Sequence, residues 1–161
     1  MIIDPEKVPT ETRTDYPDEF KPIVAGRVRQ RLGNFARLKN FGVNLVKLEP
    51  GSSSALRHWH SHQDEFIYIL EGELTLITDA GEEILKPGMA AGFPANEANG
   101  HHLVNRSSVV GVYLEVGDAP KEPLRERTPN DEATYPDHDL IAKASPDDKF
   151  SIFIHKDGTP Y

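Results

Sequence analysis

The stretch of sequence that decides the fold is residues 51–72, GSSSALRHWHSHQDEFIYILEG. It holds two histidines, His58 and His60, and on a β-strand this two-residue spacing sends both imidazoles out of the same face. Residues 66–70 are rich in strand-forming side chains, and Glu71-Gly72 then predicts a short hairpin loop with glycine at a positive φ. The stretch therefore predicts a histidine-bearing strand, a corner, and a second strand that enters a hairpin.

The same pattern extends outward over residues 24–116. Short apolar stretches alternate there with turn signals, such as the Pro50-Gly51 turn before the quoted stretch. After it, residues 73–78 and 82–85 read as strands separated by Asp79-Ala80-Gly81, a second short loop that ends in glycine. No segment keeps apolar residues at helical spacing for three turns, so helices should be few. We expect antiparallel strands that close into a sandwich or barrel.

The chain divides into three parts by composition. Residues 1–22 carry four prolines among acidic and polar residues, which predicts an extended N-terminal arm. Residues 23–117 form the expected barrel, and residues 118–161 form a C-terminal extension expected to pack on it. Within the extension, alternating Phe150, Ile152 and Ile154 predict one late strand that ends at Asp157-Gly158.

Composition excludes several classes of protein. A chain of 161 residues is the usual size for one domain. The net charge of −8 argues against nucleic acid as a bulk partner, and neither a membrane-spanning run nor a signal peptide is visible. The chain contains no cysteine, which fits a cytoplasmic protein and leaves only nitrogen and oxygen ligands for any metal.

The histidines cluster, since five of the seven lie between positions 58 and 102. Glu65 heads the strand after the His58-His60 strand, where its carboxylate can turn back toward the same cavity. His101 opens a later strand, and adjacent barrel strands can bring it opposite the first two histidines. We therefore predict one divalent metal ion, Zn, Mn, Fe, Ni or Co, bound by His58, His60, Glu65 and His101.

Two motifs of this chain resemble the two motifs of the cupin superfamily. The first is Gly51-(six residues)-His58-Trp59-His60-(four residues)-Glu65-(six residues)-Gly72. The second is Gly81-(five residues)-Pro87-Gly88, then Phe93-Pro94, then His101-(three residues)-Asn105. The resemblance, over about residues 40–117, implies an all-β double-stranded β-helix, the jelly-roll barrel of cupins. It also implies the same four metal ligands, with turns shaped by Gly72, Gly81, Pro87, Gly88 and Asn105.

Neighbouring polar residues leave alternatives open. His102 should point out of the barrel by strand alternation, and it replaces His101 as ligand if the alignment shifts. Asp64 competes with Glu65, although the interval to Gly72 favours Glu65. His62, at the corner between the two ligand strands, is either an exposed loop residue or a general base near the metal. The catalytic base is therefore not assigned from the sequence.

Three functions are compatible with such a site. The first is a metal-dependent isomerase for a sugar or sugar phosphate, because small cupins like this one are often assigned to that group. The second is an Fe(II)-dependent dioxygenase, and the third is a non-catalytic module that binds a small molecule such as a sugar. We also expect a homodimer, because cupin barrels commonly pair through their sheets and the proline-rich arm suits strand exchange.

A phosphate group on the substrate would need cations near the cavity. The run Arg27, Arg29 and Arg31 has period-two spacing, for which a solvated strand face is the simpler interpretation and contact with an anionic ligand the alternative. The cations available in or near the barrel are Arg27, Arg29, Arg31, Lys47, Arg57 and Arg106.

Overall fold

The computed structural model describes residues 1–118, 131–144 and 151–161, and these residues form mostly β-structure. The strands are β1 Thr10–Glu11, β2 Arg27–Gln30, β3 Phe41–Leu48, β4 Trp59–His60, β5 Glu65–Glu71, β6 Leu74–Thr78, β7 Gly81–Leu85, β8 Ala90–Phe93, β9 His102–Val104, β10 Gly111–Asp118, β11 Glu132–Tyr135, β12 Leu140–Ala144 and β13 Ser151–Ile154. Within these residues the helices are one four-residue α-helix, α1 (Leu32–Phe35), and the 3-10 helices Pro5–Lys7 and Lys21–Val24. The prediction of an all-β domain with few helices is confirmed.

The strands assemble into three antiparallel sheets. The largest has the order β1-β2-β3-β10-β5-β8, the second β7-β6-β9, and the third β13-β12-β11-β4. The non-sequential neighbours, such as β10 between β3 and β5, are the crossovers of a jelly roll. The predicted late strand is β13, although Phe150 itself lies outside the described residues.

The main core lies between the six-stranded and three-stranded sheets. Val46, Ile69 and Tyr113 from the larger sheet are at most 1% exposed and pack with Leu74 and Leu103 from the smaller one. Each of these side chains alternates with a more exposed neighbour along its strand, so the period-two pattern of the sequence places them on the inner face. This core fixes the barrel in which the predicted ligands lie.

A second apolar cluster joins residues from both ends of the chain to the four-stranded sheet. Tyr16, which precedes β2, packs edge-on against Tyr135 of β11, with 5.8 Å between ring centroids. The Tyr16 hydroxyl also accepts a hydrogen bond from the backbone N–H of Leu56, just before the histidine strand. The segments that flank the barrel in sequence are thus packed beside the predicted site.

The turn glycines have the backbone conformations that the sequence predicts. Gly72 has a φ of +69° and Gly81 a φ of +124°, which few other residues adopt. At Gly72 a Cβ atom would also lie 2.7 Å from the carbonyl oxygen of Val110, so the turn needs glycine for space as well as for φ.

Strand register places several polar side chains on the inner face of the six-stranded sheet. Arg29 of β2 lies opposite Val46 of β3, which in turn lies opposite Tyr113 of β10. Because Val46 is fully buried in the core, this row faces inward. Asn44 and Glu115 pair two residues further along their strands and therefore share that inner face.

Candidate metal centre

The predicted ligands come from strands that meet at one end of the barrel. His58 and His101 pair as an isolated antiparallel bridge through two backbone hydrogen bonds of 3.2 and 2.9 Å. His60 lies two residues after His58, in β4, and Glu65 begins β5. The structure therefore brings all four residues together, as the spacing predicts.

The four side chains converge on one carboxylate oxygen. Glu65 Oε2 lies 2.9 Å from His101 Nε2 and 3.7 Å from Nε2 of both His58 and His60. His58, His60 and Glu65 each offer one ligand atom, and these three atoms lie within 4.8 Å of one another. They are close enough to bind the same ion. That His101 completes the ligand set stays a prediction.

Each histidine is held through its other ring nitrogen, Nδ1. The partners of Nδ1 are Leu56 O for His58 (2.8 Å), Asp131 Oδ2 for His60 (2.7 Å) and Asn99 O for His101 (3.1 Å). A ring that donates from Nδ1 to an oxygen has its second nitrogen free to act as a metal ligand. The Nδ1 hydrogen bonds thus fix the orientation of each ring with Nε2 toward Glu65.

Aromatic rings support two of these histidines from the side. Phe93 stacks on His101 with ring centroids 3.6 Å apart and planes 2° from parallel. Tyr135 stacks on His58 at 5.6 Å and 27°. Because both rings are packed, the imidazoles have little freedom to rotate away from Glu65.

Asp131 belongs to the candidate site, and sequence reasoning did not identify it. It precedes β11, which pairs with the histidine strand through Ala133 and His60. Besides holding His60, its carboxylate accepts a 2.9 Å hydrogen bond from the backbone N–H of His62. Burial acts to raise the pKa of Asp131, but the hydrogen bond and charge of His60 outweigh burial and hold the pKa below its usual value.

The ionisation of the cluster suits a cation. Burial lowers the pKa of His58 to about 4, so this imidazole is neutral at neutral pH. Burial acts to raise the pKa of Glu65, but the His101 hydrogen bond and the charges of His60 and His58 outweigh it and leave the pKa well below its usual value. Imidazole nitrogens with one carboxylate are the donors that divalent first-row metals prefer, so these residues fit such an ion.

The competing candidates lie elsewhere. His102 borders the cavity, but its Nδ1 lies 2.9 Å from the carbonyl oxygen of Ala55, and it is not part of the His58, His60 and Glu65 group. Asp64 is exposed and accepts a hydrogen bond from the backbone N–H of Ala95. His62 is exposed, bonds to Ser61 Oγ at 2.8 Å, and does not line the cavity, which gives no support to a role as base.

The four side chains open into a cavity of about 310 Å³. This volume is at the lower end of the range for small-molecule sites. Its polar wall comes from β2, β3 and β10 and from Arg31, the second residue after Arg29 and the first after β2. The residues of that wall include Arg27, Arg29, Arg31, Asn44, Tyr113 and Glu115.

The arginine run on β2 requires a correction. Its interpretation as a solvated strand face is wrong for Arg27 and Arg29. The side of β2 that carries both residues faces the barrel interior. Arg27 is 8% exposed and donates from Nη1 to the carbonyl oxygen of Ser54 at 2.6 Å. Arg29 Nη2 lies 3.6 Å from Glu115 Oε1. The alternative left open by the sequence, a run that faces a ligand, agrees with this placement.

The other cations do not reach the cavity. Arg57 forms ion pairs with Asp79 and Asp137, and Arg106 pairs with Glu82. Lys47 is exposed on the outer side of β3. Arg27, Arg29 and Arg31 are therefore the cations in the described residues that line the wall beside the candidate metal centre.

A jelly-roll barrel with a cluster of histidines and a carboxylate at one end is the arrangement that the resemblance to cupins implies, and the comparisons identify the family. The family model described as "Cupin domain" matches residues 44–117. The crystal structure of a sugar phosphate isomerase from a cupin superfamily, from Silicibacter pomeroyi DSS-3, is 39% identical, covers 100% of this chain and 96% of its own, and has a TM-score of 0.90. The chain belongs to the cupin superfamily.

Two further proteins are similar to this chain. A structure from Acidithiobacillus ferrooxidans ATCC 23270, described as a proposed sugar phosphate isomerase, is 25% identical, with 85% of this chain and 82% of its own covered and a TM-score of 0.70. Quercetin 2,3-dioxygenase of Bacillus subtilis is 30% identical over 98 residues, which are 60% of this chain. The match spans only 27% of the length of that dioxygenase.

No helix in residues 1–118, 131–144 or 151–161 is both long and apolar enough to cross a membrane.

Proposed function

We propose that this protein is a metal-dependent isomerase that acts on a sugar or sugar phosphate. The observation that carries the proposal is the convergence of three imidazole Nε2 atoms on Glu65 inside a cavity of about 310 Å³. Similarity over the whole chain to the sugar phosphate isomerase from S. pomeroyi supports the choice of reaction. The substrate is a small molecule that fits beside the cluster.

The proposed ligand set is His58, His60, Glu65 and His101, with one divalent ion. Bound there, the ion supplies Lewis-acid stabilisation of negative charge that develops on adjacent substrate oxygens. The three rings are held by their Nδ1 hydrogen bonds, so the chain orients its donors before any ligand arrives.

Glu115 is the proposed proton carrier. Two other carboxylates in the described cavity wall suit this role less well. Asp131 is hydrogen-bonded to His60, and Asp118 lies exposed at the end of β10. Glu115 shares the inner face with Glu65 and is oriented by a 2.9 Å hydrogen bond from Asn44. It takes a proton from the carbon next to the carbonyl and returns it to the former carbonyl carbon, while the hydroxyl proton moves between the two oxygens.

Metal content comes first in the test of this proposal. Mass spectrometry of wild type should find one ion per chain, and His58→Ala and His101→Ala should each lose it. His155→Ala is the matched control, because His155 pairs with Asp139 outside the cavity. A wild type that binds no ion after reconstitution would contradict the proposal.

The reaction is tested by interconversion of aldose and ketose sugars and their phosphates. Glu115→Gln should keep the metal and lose about 10²- to 10⁴-fold in kcat, the usual contribution of a general base. Asp118→Asn, on the same strand, should change kcat little. Equal activity in Glu115→Gln and wild type would remove Glu115 from the mechanism.

A dioxygenase is the second candidate, favoured by the similarity to quercetin 2,3-dioxygenase. It predicts iron in the purified protein and uptake of O₂ with an organic substrate. The isomerase predicts turnover without O₂, so an anaerobic assay separates the two. Metal and sugar binding without turnover would favour the non-catalytic module.

We also propose a cytoplasmic homodimer. The outer face of β5 presents Phe66, Tyr68 and Leu70, which are between 38% and 44% exposed. Adjacent exposed apolar side chains on one strand face favour contact with another protein surface, here a second copy of the sheet. The lack of cysteine supports the location.

A further inference from the structure

The polar wall of the cavity contains two buried donors without an acceptor. Arg29 Nε and the Tyr113 hydroxyl are shut off from solvent and have no hydrogen-bond partner among the described residues. Tyr113 is 1% exposed, and both side chains line the cavity. Buried donors are normally satisfied, so two orphans on one wall point to an acceptor that arrives with a ligand.

The charges on this wall are incompletely balanced. Arg27 and Arg29 lie two residues apart on the same face of β2, and the nearby carboxylate is Glu115. Glu115 Oε1 lies 3.6 Å from Arg29 Nη2, and its charge raises the pKa of Arg29, whereas Arg27 makes no ion pair within the described part of the chain. Burial lowers the pKa of Arg27, and the charge of Arg29 lowers it further. The negative charge of an anion bound here would raise the pKa of Arg27 and so offset the effects of burial and of Arg29.

Tyr113 is suited to donate to such an anion. Burial raises the pKa of its hydroxyl, and the charges of Glu115 and Glu65 raise it further, whereas the charges of Arg29 and Arg27 lower it. The net effect is a raised pKa, so the hydroxyl stays protonated. Tyr113 of β10 pairs with Ile69 of β5, which lies four residues, or about 13 Å, along the strand from Glu65. Glu65 and Tyr113 line the same cavity of about 310 Å³, which is the size of a small-molecule site, so one small molecule can contact both residues.

We propose that Arg29 and Tyr113, with Arg27 beside them, form an anion subsite that binds the phosphate or carboxylate group of the substrate. The subsite rests on the proposed function, because it assumes that the substrate occupies this cavity. It narrows the substrate class to a sugar phosphate or a sugar acid. A phosphate takes the planar guanidinium fork and the phenol donor together, and a carboxylate takes the fork alone.

The test is calorimetric titration of the full-length protein with inorganic phosphate and, separately, with acetate. At least one anion should bind wild type. Arg29→Met should weaken that binding about a hundredfold, the typical loss for a charged hydrogen bond. Tyr113→Phe should weaken phosphate binding about five- to tenfold, the typical loss for a neutral hydrogen bond, and leave acetate binding unchanged. Arg106→Met is the matched control, because Arg106 pairs with Glu82 outside this cavity. The anion affinity of this variant should equal that of wild type.

Tyr113→Phe separates binding from folding. It removes only a hydroxyl that has no partner in the described residues, so its melting temperature should equal or exceed that of wild type. Anion affinity that is unchanged in both Tyr113→Phe and Arg29→Met would overturn the subsite. So would a wild type that binds neither anion, or binding that is lost only in His58→Ala.

The two proposals fail in different measurements. Arg29-dependent phosphate binding in a protein without isomerase turnover would keep the subsite and remove the isomerase. Turnover of a sugar phosphate with an unchanged KM in Arg29→Met would keep the isomerase and overturn the subsite.

Discussion

His60 Nδ1 lies 2.7 Å from the Asp131 carboxylate, so a residue that follows the barrel in sequence fixes a ring within the candidate metal centre. The bond depends on the pairing of β11 with β4, which sets Ala133 opposite His60. Asp131 is buried, and the partly buried His60 ring presents Nε2 toward Glu65. The residues after the barrel therefore form part of the site.

Asp131→Asn should weaken metal binding about 10- to 100-fold, the usual effect of removing a carboxylate that supports a metal-ligating histidine. The amide keeps the size of the side chain but loses the charge that fixes the Nδ1 proton. Competition titration with a metal chelator measures the affinity. Asp139→Asn removes the carboxylate of another histidine pair, Asp139 with His155, and should leave the affinity unchanged. Equal affinities for Asp131→Asn and wild type would contradict this role.

The sequence predicted that His58, His60 and Glu65 lie together because local spacing determines their placement. The two-residue step from His58 to His60 places both rings on one face, and Glu65 follows at the next strand start. Period-two spacing also shows that Arg27 and Arg29 share a face, but not which face is inside. That depends on the pairing of β2 with β3, a contact distant in sequence. Asp131 was not predicted for the same reason, since its partner strand is far away in sequence.

Metal-free protein should lose stability as the pH falls from about 6.5 to about 4. An unfolded histidine takes up a proton near pH 6.5, whereas burial keeps His58 neutral until about pH 4. The unfolded state therefore binds more protons in this window, so lower pH favours unfolding. The depressed pKa of Glu65 acts in the same direction at lower pH.

Thermal unfolding between pH 4 and 7, with a chelator present, measures this dependence. His58→Gln should flatten the loss of melting temperature between pH 6.5 and 4, because glutamine takes up no proton. His155→Gln, which replaces a histidine of the exposed pair with Asp139, should keep the slope of wild type. A steep slope in His58→Gln would assign the acid sensitivity to other groups.

Gly72→Ala should destabilise the fold by about 2 kcal/mol or more. The positive φ alone costs about 1–2 kcal/mol, and the added Cβ would lie 2.7 Å from Val110 O, a backbone atom of the loop before β10. Gly51→Ala is the control, since its φ of +83° is also positive but no atom lies within 4 Å of the new Cβ. Urea unfolding should show the larger loss for Gly72→Ala, and equal losses would contradict the steric argument.

Tyr68→Glu should convert the proposed homodimer to a monomer. Tyr68 lies on the outer face of β5 between Phe66 and Leu70, and it is 38% exposed. A buried unpaired carboxylate at an apolar sheet contact costs several kcal/mol, enough to dissociate a micromolar dimer. Sedimentation equilibrium measures the mass, and Ile84→Glu, an exposed apolar position on the other sheet, should leave it unchanged. A wild type with the mass of one chain would remove the homodimer proposal, because the outer face of β5 would then be an ordinary solvated surface.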